Sequence, residues 1–402
     1  MIWHDQIKSV LLWMMMGIMF IMSLIFSTSC QADELSDLKN RVRELEDRFD
    51  DELLFQRDEH LALFDQLNEV IKLNMYIGLD YESFEKSPSS FKAESLELVS
   101  EMNFRNKMTA FFEIEFKGEE AEVEQGWFEY LIDPLFNPRF GAILVPFGAY
   151  NLNHFNYQRA LAHRPIAMKH VVPVTWREAG AGFTGTLFIE NEGGKWIDEL
   201  GIDYQLFLIN GFTGKFEPTS SRGARGAFNQ DNNNNKAIVG HVGFTLNEIN
   251  QLGLSVYHGE YEDHLQSGIS GLDIDWSFQR GPFEFLGEYA RFNLESASSQ
   301  IPKNLQGGYA QVNFNFWPKS FNKTVLGKKH EDPTFILVLR YGEAIIEGRV
   351  DKNEELRWTA GINYRPYQTF VARIEYQWNQ AANIPIEHGD NDGLVISFAA
   401  AF

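Results

Sequence analysis

Residues Asp392–Phe402 read DGLVISFAAAF, and their side chains alternate between two faces. Small residues and a serine occupy one face, and the other carries Leu394, Ile396, Phe398, Ala400 and Phe402. Alternation with a period of two predicts a β-strand. The strand ends on an aromatic side chain, and an apolar outer face with an aromatic at its end is typical of strands that cross a membrane. The stretch therefore favours a membrane-spanning sheet over a soluble one.

The same period recurs from Lys72 onward and predicts about sixteen strands, most of them near the length that crosses a bilayer when tilted. The first spans Lys72–Phe84 and the last Asn391–Phe402. One face of each strand is apolar and aromatic, and the other is polar. In a membrane barrel the apolar face meets lipid and the polar face lines water. The polar faces predict lumen-facing side chains that include Arg357, Arg365, Arg373, Glu375, Glu113 and Glu115.

The connections between the predicted strands alternate in length. If the first strand runs outward, every second connection should be a short periplasmic turn. Pro366–Tyr367 and the long Phe147–Glu178 follow this order. Two connections break it, because Pro318–Asp332 is too long for a turn and Gly118–Glu119 is too short for an outer loop. The alternation predicts an all-β fold, a transmembrane antiparallel β-barrel of about sixteen strands.

Composition excludes several other classes of protein. The net charge of −21 argues against general nucleic-acid binding. After Met22 no apolar run is long enough for a membrane-spanning helix. Cys30 is the only cysteine, so no internal disulfide can form. The sequence carries no phosphate-cradling glycine loop and no paired-cysteine motif, and we expect no cofactor.

Two segments are expected ahead of the barrel, which we place at residues 72–402. Residues 1–32 have the layout of a secretory signal peptide. Cleavage after Ala32 and lipidation at Cys30 are competing routes of processing, and an uncleaved membrane anchor is a third. Residues 33–71 carry apolar side chains at spacings of three and four, which predicts an amphipathic α-helix. This helix favours a coiled coil and a homotrimer over a single helix that acts as a spacer.

The connection 147–178 differs in charge from the rest of the chain. It sets four cations and three histidines against Glu178 alone: Arg159, Arg164, Lys169, Arg177, His154, His163 and His170. In general porins the loop after the fifth strand folds into the barrel and narrows it. Rings of arginine and lysine favour anions there by offsetting lost hydration. We expect an anion-preferring constriction or, alternatively, an external loop held by arginine–glutamate pairs. The spacing of the histidines does not predict a metal site.

The same region resembles a known family. Phe140-Gly141, VPFGAYN at 145–151, Arg164-Pro165 and WREAG at 176–180, with Gly182 and Gly185, resemble a segment shared by porins related to the phosphate-selective porin O/P family. The resemblance implies a sixteen-stranded, usually trimeric channel of the bacterial outer membrane, in some relatives with an N-terminal coiled coil. Phosphate selectivity in that family rests on lumen arginines and lysines. Glutamates stand among them here, so the resemblance implies a porin more than a phosphate pore.

These observations predict a passive diffusion channel in the bacterial outer membrane. The expected partners are small hydrophilic solutes or ions, phosphate or other anions among them, together with outer-membrane lipid and further copies of the chain. Nucleic acid is not expected. One alternative is a barrel without a channel that serves as an adhesin or structural protein. Another is a barrel hydrolase, which would need a serine, a histidine and a carboxylate at the outer rim.

Overall fold

The structure, a computed structural model, describes residues 71–402 apart from 118–119, 191–197, 227, 229–230, 264–266, 296–300, 331 and 349–350. The predicted signal peptide (1–32) lies outside the described residues. So does the predicted helix (33–71), except for Ile71, which begins the first strand. Among the described residues, no helix is long and apolar enough to span a membrane.

Sixteen antiparallel strands form one closed barrel, in which each strand pairs with its neighbours in sequence and β1 pairs with β16. The strands are β1 (Ile71–Phe84), β2 (Ser90–Phe104), β3 (Met108–Lys117), β4 (Glu120–Tyr130), β5 (Asn137–Leu144), β6 (Arg177–Glu190), β7 (Glu199–Ile209), β8 (Ala237–Leu246), β9 (Asn250–Glu260), β10 (Gly268–Arg280), β11 (Phe283–Leu294), β12 (Asn304–Phe316), β13 (Thr334–Glu347), β14 (Lys352–Tyr367), β15 (Phe370–Ala382) and β16 (Gly393–Ala401). The predicted fold is confirmed. Closure leaves no sheet edge unpaired, which a sheet surrounded by lipid requires.

The closing strand has the predicted faces. Val395, Ser397 and Ala399 are buried inside the barrel, whereas Phe398 on the alternate face is largely exposed. Phe398 pairs in register with Leu79 of β1, which is exposed as well. Because side chains alternate along a strand, this register turns the apolar faces of both closing strands, β1 and β16, outward, toward lipid.

The barrel has two unlike rims. The turn rim carries mostly short connections, such as residues 105–107 between β2 and β3, where Arg105 and Asn106 have the positive φ angles, 52° and 54°, of a tight hairpin turn. The loop rim, at the opposite end, carries the longer ones. The connection between β12 and β13 is the exception predicted from its length, and it contains a 3₁₀ helix, Lys319–Lys323, at the turn rim.

An apolar core fills part of the barrel interior near the loop rim. The interior is polar on β14, β15 and β1–β4. On β7–β13 the inward-facing side chains include polar ones and, near the loop rim, a buried apolar group: Phe207, Ile209, Val239, Tyr257, Ile269, Phe292, Leu305 and Ile346. Trp176, just before β6, stacks on Phe212 with ring centroids 4.2 Å apart. Burying each large apolar side chain stabilises the fold by about 1.5–3 kcal/mol. The packed side chains of this core fill the lumen on the side of β7–β13 near the loop rim.

Candidate functional site

The connection between β5 and β6, residues 145–176, enters the lumen, and we call it the inserted loop. It contains two short helices, α1 (Ala149–Leu152) and α2 (Ala167–His170), and a 3₁₀ turn, Asn156–Gln158. Its apolar residues, including Ile166 and Val172, join the interior core. Most of its backbone has no sheet neighbour, and buried backbone groups need hydrogen-bond partners. The barrel wall supplies many of them.

Arg373 of β15 is the most heavily used anchor of the inserted loop. Its guanidinium donates to the carbonyl oxygens of Asn156, Arg159 and Leu161 at 3.2, 3.3 and 3.0 Å. It also donates to Asn156 Oδ1 at 2.6 Å. The side chain is 1% exposed. Hydrogen bonds from a charged donor each contribute about 1.5–3 kcal/mol. Arg373 therefore holds residues 156–161 of the inserted loop against the barrel wall.

Two neighbouring arginines extend the same role. Arg365 of β14 donates at 2.9–3.0 Å to the carbonyls of Tyr157, Gln158 and Arg159. Arg340 of β13 donates to the carbonyl of His163 at 2.8 Å. Backbone carbonyls of the inserted loop thus occupy the guanidinium groups of Arg365 and Arg373, two of the three arginines predicted to face the lumen, and of Arg340, which was not predicted. Arg357, the fourth, donates to Asn379 Oδ1 at 2.6 Å and to Glu387 at 2.9 Å.

Carboxylates anchor the loops through amide groups. Glu375 accepts the N–H of Ala162 at 2.7 Å, and Glu288 accepts that of Tyr150 at 2.8 Å. Glu355 of β14 is fully buried and accepts four successive amides of the last loop, those of Ile386, Glu387, His388 and Gly389, at 2.8–3.2 Å. The inserted loop is thus fixed to β11 as well as to β13–β15, and the last loop to β14.

Across the lumen, β1–β4 carry what we call the acidic wall: Asp80, Glu82, Glu97, Glu113, Glu115, Glu122 and Glu124. Basic residues of the inserted loop and of β6 face it. His154 Nε2 lies 2.9 Å from Glu113 and His163 Nε2 lies 3.1 Å from Glu82. Arg177, at the start of β6, pairs with Glu122 at 3.2 Å and with Glu124. The inserted loop and the start of β6 are therefore held against the acidic wall by direct contacts between basic and acidic side chains.

The other predicted loop residues also have defined places. Arg164 donates to the carbonyl of Val174 at 2.7 Å. Lys169 pairs with Glu387 of the last loop. His170 Nδ1 lies 3.2 Å from Ser220 Oγ, and Arg159 is buried against the acidic wall, where it interacts electrostatically with Glu97. The alternative prediction was an external loop held by arginine–glutamate pairs. Such pairs are present, as between Arg177 and Glu122, but they lie inside the barrel.

Cavities lie in the lumen on both sides of the inserted loop, and two of them are lined by residues that the structure describes. The one toward the turn rim has a volume of about 690 Å³, and its charged lining residues are Arg159, Arg340, Arg365, Asp275 and Glu284. The one toward the loop rim has about 520 Å³, and its charged lining residues are Lys92, Arg164, Lys169, Arg222, Glu82, Glu115 and Glu387, with His163 and His388 beside them. Cations outnumber carboxylates in both, by three to two and by four to three.

Several lining residues were not identified from the sequence. Arg222 and Arg225 belong to the next loop, between β7 and β8, and donate to the carbonyls of Val174 and Thr175 at 2.5 and 2.7 Å. Burial lowers the pKa of Arg222 to about 10, which leaves it charged at neutral pH. Two arginines in four residues of an acidic chain were a visible signal. Their contact with the inserted loop was not visible in the sequence, because the bonded residues are 48 and 50 positions apart along the chain.

Lys169, Glu387 and Arg357 form a chain of ion pairs between the inserted loop, the last loop and β14, which we call the loop clasp. His388 stacks on Phe84 beside it, with ring centroids 4.3 Å apart. Burial lowers the pKa of His388 to about 4. Burial also raises the pKa of Glu387, but the cations of Arg357 and Lys169 outweigh it and hold that pKa well below its usual range.

Acidification is expected to loosen the loop clasp. Because the fold favours neutral His388, its stabilising contribution is complete above pH 6.5 and is lost as the pH falls toward about 4. The contribution of charged Glu387 is lost as the pH falls below 4.5. We therefore expect the hydrogen-exchange protection of amides 386–389, corrected for intrinsic rates, to decrease from pH 7 to pH 4. The variant His388→Gln should keep protection down to about pH 4.5, and constant protection in the unmodified protein would contradict the assignment.

Comparisons with known proteins agree on the fold. No family model matches the sequence. An uncharacterized protein of Aquifex aeolicus is 24% identical over 245 residues, 55% of this chain and 53% of that protein, so this chain spans about half the length of its relative. The phosphate-selective family thus stays a prediction.

Three solved structures have a similar fold. OmpF of Salmonella typhi has a TM-score of 0.55 at 9% identity, covering 83% of this chain and 97% of that one. The trimer form of OmpT, an outer membrane protein of Vibrio cholerae, scores 0.53 at 8% identity, covering 83% and 99%. An anion-selective porin from Comamonas acidovorans scores 0.52 at 10% identity, covering 83% and 99%. The predicted location in a bacterial outer membrane agrees with these neighbours and with the barrel's apolar exterior. The chain therefore has the sixteen-stranded barrel fold of bacterial outer-membrane porins and channels.

Proposed function

We propose that this protein is a porin, a passive diffusion channel for small hydrophilic solutes in the bacterial outer membrane. The observation that carries this proposal is the inserted loop, which strands β13–β15 hold across the lumen so that its basic side chains face the acidic wall. Water-accessible cavities lie on both sides of it. Such an arrangement filters solutes by size and by charge and requires no chemical step.

The proposal includes a weak preference for anions. Cations outnumber carboxylates by one in each lumen cavity, although the whole chain carries a net charge of −21. The excess of cations in the cavities, and not the net charge of the chain, decides whether anions or cations pass more easily. Charges on the outer surface are screened beyond about 8–10 Å at physiological salt. The fixed positive groups offset the hydration that an anion loses in the constriction.

A specific phosphate site is not part of the proposal. Arg340, Arg365 and Arg373 each donate to backbone carbonyls of the inserted loop. Bidentate recognition of phosphate needs guanidinium groups with free donors. We expect millimolar phosphate to leave the chloride current through the channel unblocked, and a saturable block would contradict this reading.

We further propose a homotrimer, for which the trimer form of OmpT and the predicted coiled coil at residues 33–71 are the support. Light scattering of the full chain and of a chain that lacks residues 33–70 tests it. A trimeric mass for the full chain is expected, and a monomeric mass would overturn the proposal.

The hydrolase alternative gains no support from the described residues. His241 Nδ1 lies 2.9 Å from Ser255 Oγ, and His170 lies 3.2 Å from Ser220 Oγ. Both serines are buried, at 0% and 3% exposure, and Ser255 already accepts the N–H of Gly148. Neither hydroxyl is presented to a substrate as a nucleophile would be.

The reversal potential under a KCl gradient tests the proposed selectivity. Arg164→Gln together with Arg222→Gln removes two cations from the cavity near the loop rim while glutamine can still donate to the Val174 carbonyl. The cavity would then hold two cations against three carboxylates. We expect an anion-sign potential for the unmodified protein that falls to zero or reverses in the double variant.

The matched control is Lys86→Gln with Lys303→Gln, which removes two exposed cations that line neither lumen cavity. Its reversal potential should equal that of the unmodified protein. A cation-sign potential in the unmodified protein, or an equal shift in both double variants, would overturn the assignment of selectivity to the lumen cavities.

A further inference from the structure

The long connection at the turn rim, residues 318–332, has a composition unlike that of the rest of the chain, and we call it the basic turn. Within eleven positions it carries Lys319, Lys323, Lys328 and Lys329, against Glu331 and Asp332 at its end. The whole protein has 35 lysines and arginines and 56 acidic residues. A turn at this place needs only a few residues to join two antiparallel strands. The extra length and the reversed charge are unexplained by the channel.

The basic turn is folded by local hydrogen bonds. The amide of Phe321 donates to the carbonyl of Pro318, and that of Lys328 to the carbonyl of Thr324, each at 2.9 Å. The hydroxyl of Tyr364, from β14, donates to the carbonyl of Leu326 at 2.5 Å. These bonds fix the turn against the end of the neighbouring strands.

The turn lies against the exterior of the barrel. Asn363 and Arg365 of β14 face the interior, so Tyr364 between them faces out, and the same alternation turns Phe335 of β13 outward. Trp317 stacks on Phe335 with ring centroids 5.4 Å apart, and Phe321 packs on Phe335 at 5.7 Å. These exterior rings form part of the aromatic belt that membrane barrels place at the level of lipid head groups.

The outer surface of the basic turn is both charged and apolar. All four lysines are exposed, and none forms an ion pair within 4.0 Å with any residue that the structure describes. Val325 lies between them in sequence and is 90% exposed. Lysines next to an exposed aliphatic side chain and a belt of aromatic rings are a pattern that suits the boundary between head groups and acyl chains.

We propose that the basic turn binds the head groups of anionic phospholipids in the leaflet next to the turn rim. The four ammonium groups meet lipid phosphates, and Val325 enters the acyl region beneath them. A site for free phosphate would not need the exposed valine or the position on the lipid-facing wall. The proposal is independent of channel activity, because the basic turn lines neither lumen cavity.

Native mass spectrometry of the full-length protein tests this proposal. The protein is released from detergent micelles that contain equal amounts of a zwitterionic phospholipid, phosphatidylcholine, and an anionic one, phosphatidylglycerol. Each lysine near an anionic surface contributes about a fivefold factor to binding. Two such lysines already give more than a tenfold factor, so the variant with glutamine at positions 319, 323, 328 and 329 should retain phosphatidylglycerol at least about tenfold less well than the unmodified protein. Val325→Asp should weaken retention while leaving all four lysines in place.

The matched control carries glutamine at Lys86, Lys236, Lys303 and Lys352, four exposed lysines at the loop rim. It should retain phosphatidylglycerol as the unmodified protein does. Equal retention by the basic-turn variant and the unmodified protein would overturn the proposal, and so would equal losses in both fourfold variants. Displacement of the lipid by millimolar inorganic phosphate would identify a free-phosphate site instead. Heat-modifiable migration on gels confirms that each variant keeps a closed barrel.

Discussion

Replacing Arg365 and Arg373 together by alanine is expected to increase the single-channel conductance several-fold. The two guanidinium groups hold the carbonyls of residues 156–159 and of Leu161 to the barrel wall. Their loss leaves the carbonyls of Tyr157, Gln158, Arg159 and Leu161 without these donors, and unsatisfied buried groups cost about 1–3 kcal/mol each. A local penalty on the order of 3–6 kcal/mol is enough to move the loop from mostly closed to mostly displaced. The sixteen strands do not depend on these bonds and should stay closed.

Arg280→Ala with Arg291→Ala is the matched control, because both of these arginines are exposed and neither contacts the inserted loop. Its conductance should equal that of the unmodified protein. An unchanged conductance in a correctly folded Arg365/Arg373 double variant would show that the inserted loop does not limit the current.

Glu355→Ala is expected to lower the free energy of unfolding by about 3–5 kcal/mol, the typical result of breaking a buried ion pair from one side. Glu355 accepts four amides of the last loop and lies 3.4 Å from the guanidinium of Arg357, itself 2% exposed. Alanine leaves those amides without an acceptor. Denaturant titration of protein folded in detergent micelles measures the change, and exchange at amides 386–389 should become fast.

The neighbouring residue offers a sharp comparison. Glu354 pairs with Lys352 at 2.6 Å, and both side chains are partly exposed to solvent. Exposed pairs contribute about 0–1 kcal/mol, so Glu354→Ala should have little effect on stability. If the two alanine variants were equally stable, Glu355 would not be the anchor of the last loop.

The barrel was predictable because its signal is local. Alternation along each strand needs no knowledge of the rest of the chain, and the register of β16 against β1 turned the predicted apolar face outward. The position and charge of residues 147–178 also singled out this connection, although an external loop stayed open as the alternative to one that folds into the barrel. Each of these features depends on residues close together in sequence.

The contacts inside the lumen were not predictable in this way. Arg373 meets Asn156 across 217 positions, and Lys169 meets Glu387 across 218. Nothing near Arg373 in sequence shows that its charge is used by a backbone carbonyl. The apolar core was missed for a related reason. An inward-facing Phe207 or Phe292 makes a strand apolar on both faces, and only the packed loop shows what covers it.

The most direct test is liposome swelling with neutral solutes of graded size, which measures the passage independently of its charge. Vesicles that contain the unmodified protein should swell in small sugars and resist larger ones, and the Arg365/Arg373 double variant should admit larger sugars. Swelling that decreases steadily with solute size is the result we predict. Absence of swelling in the smallest solute, with protein correctly inserted in the vesicles, would contradict the proposal that this barrel is a diffusion channel narrowed by its inserted loop.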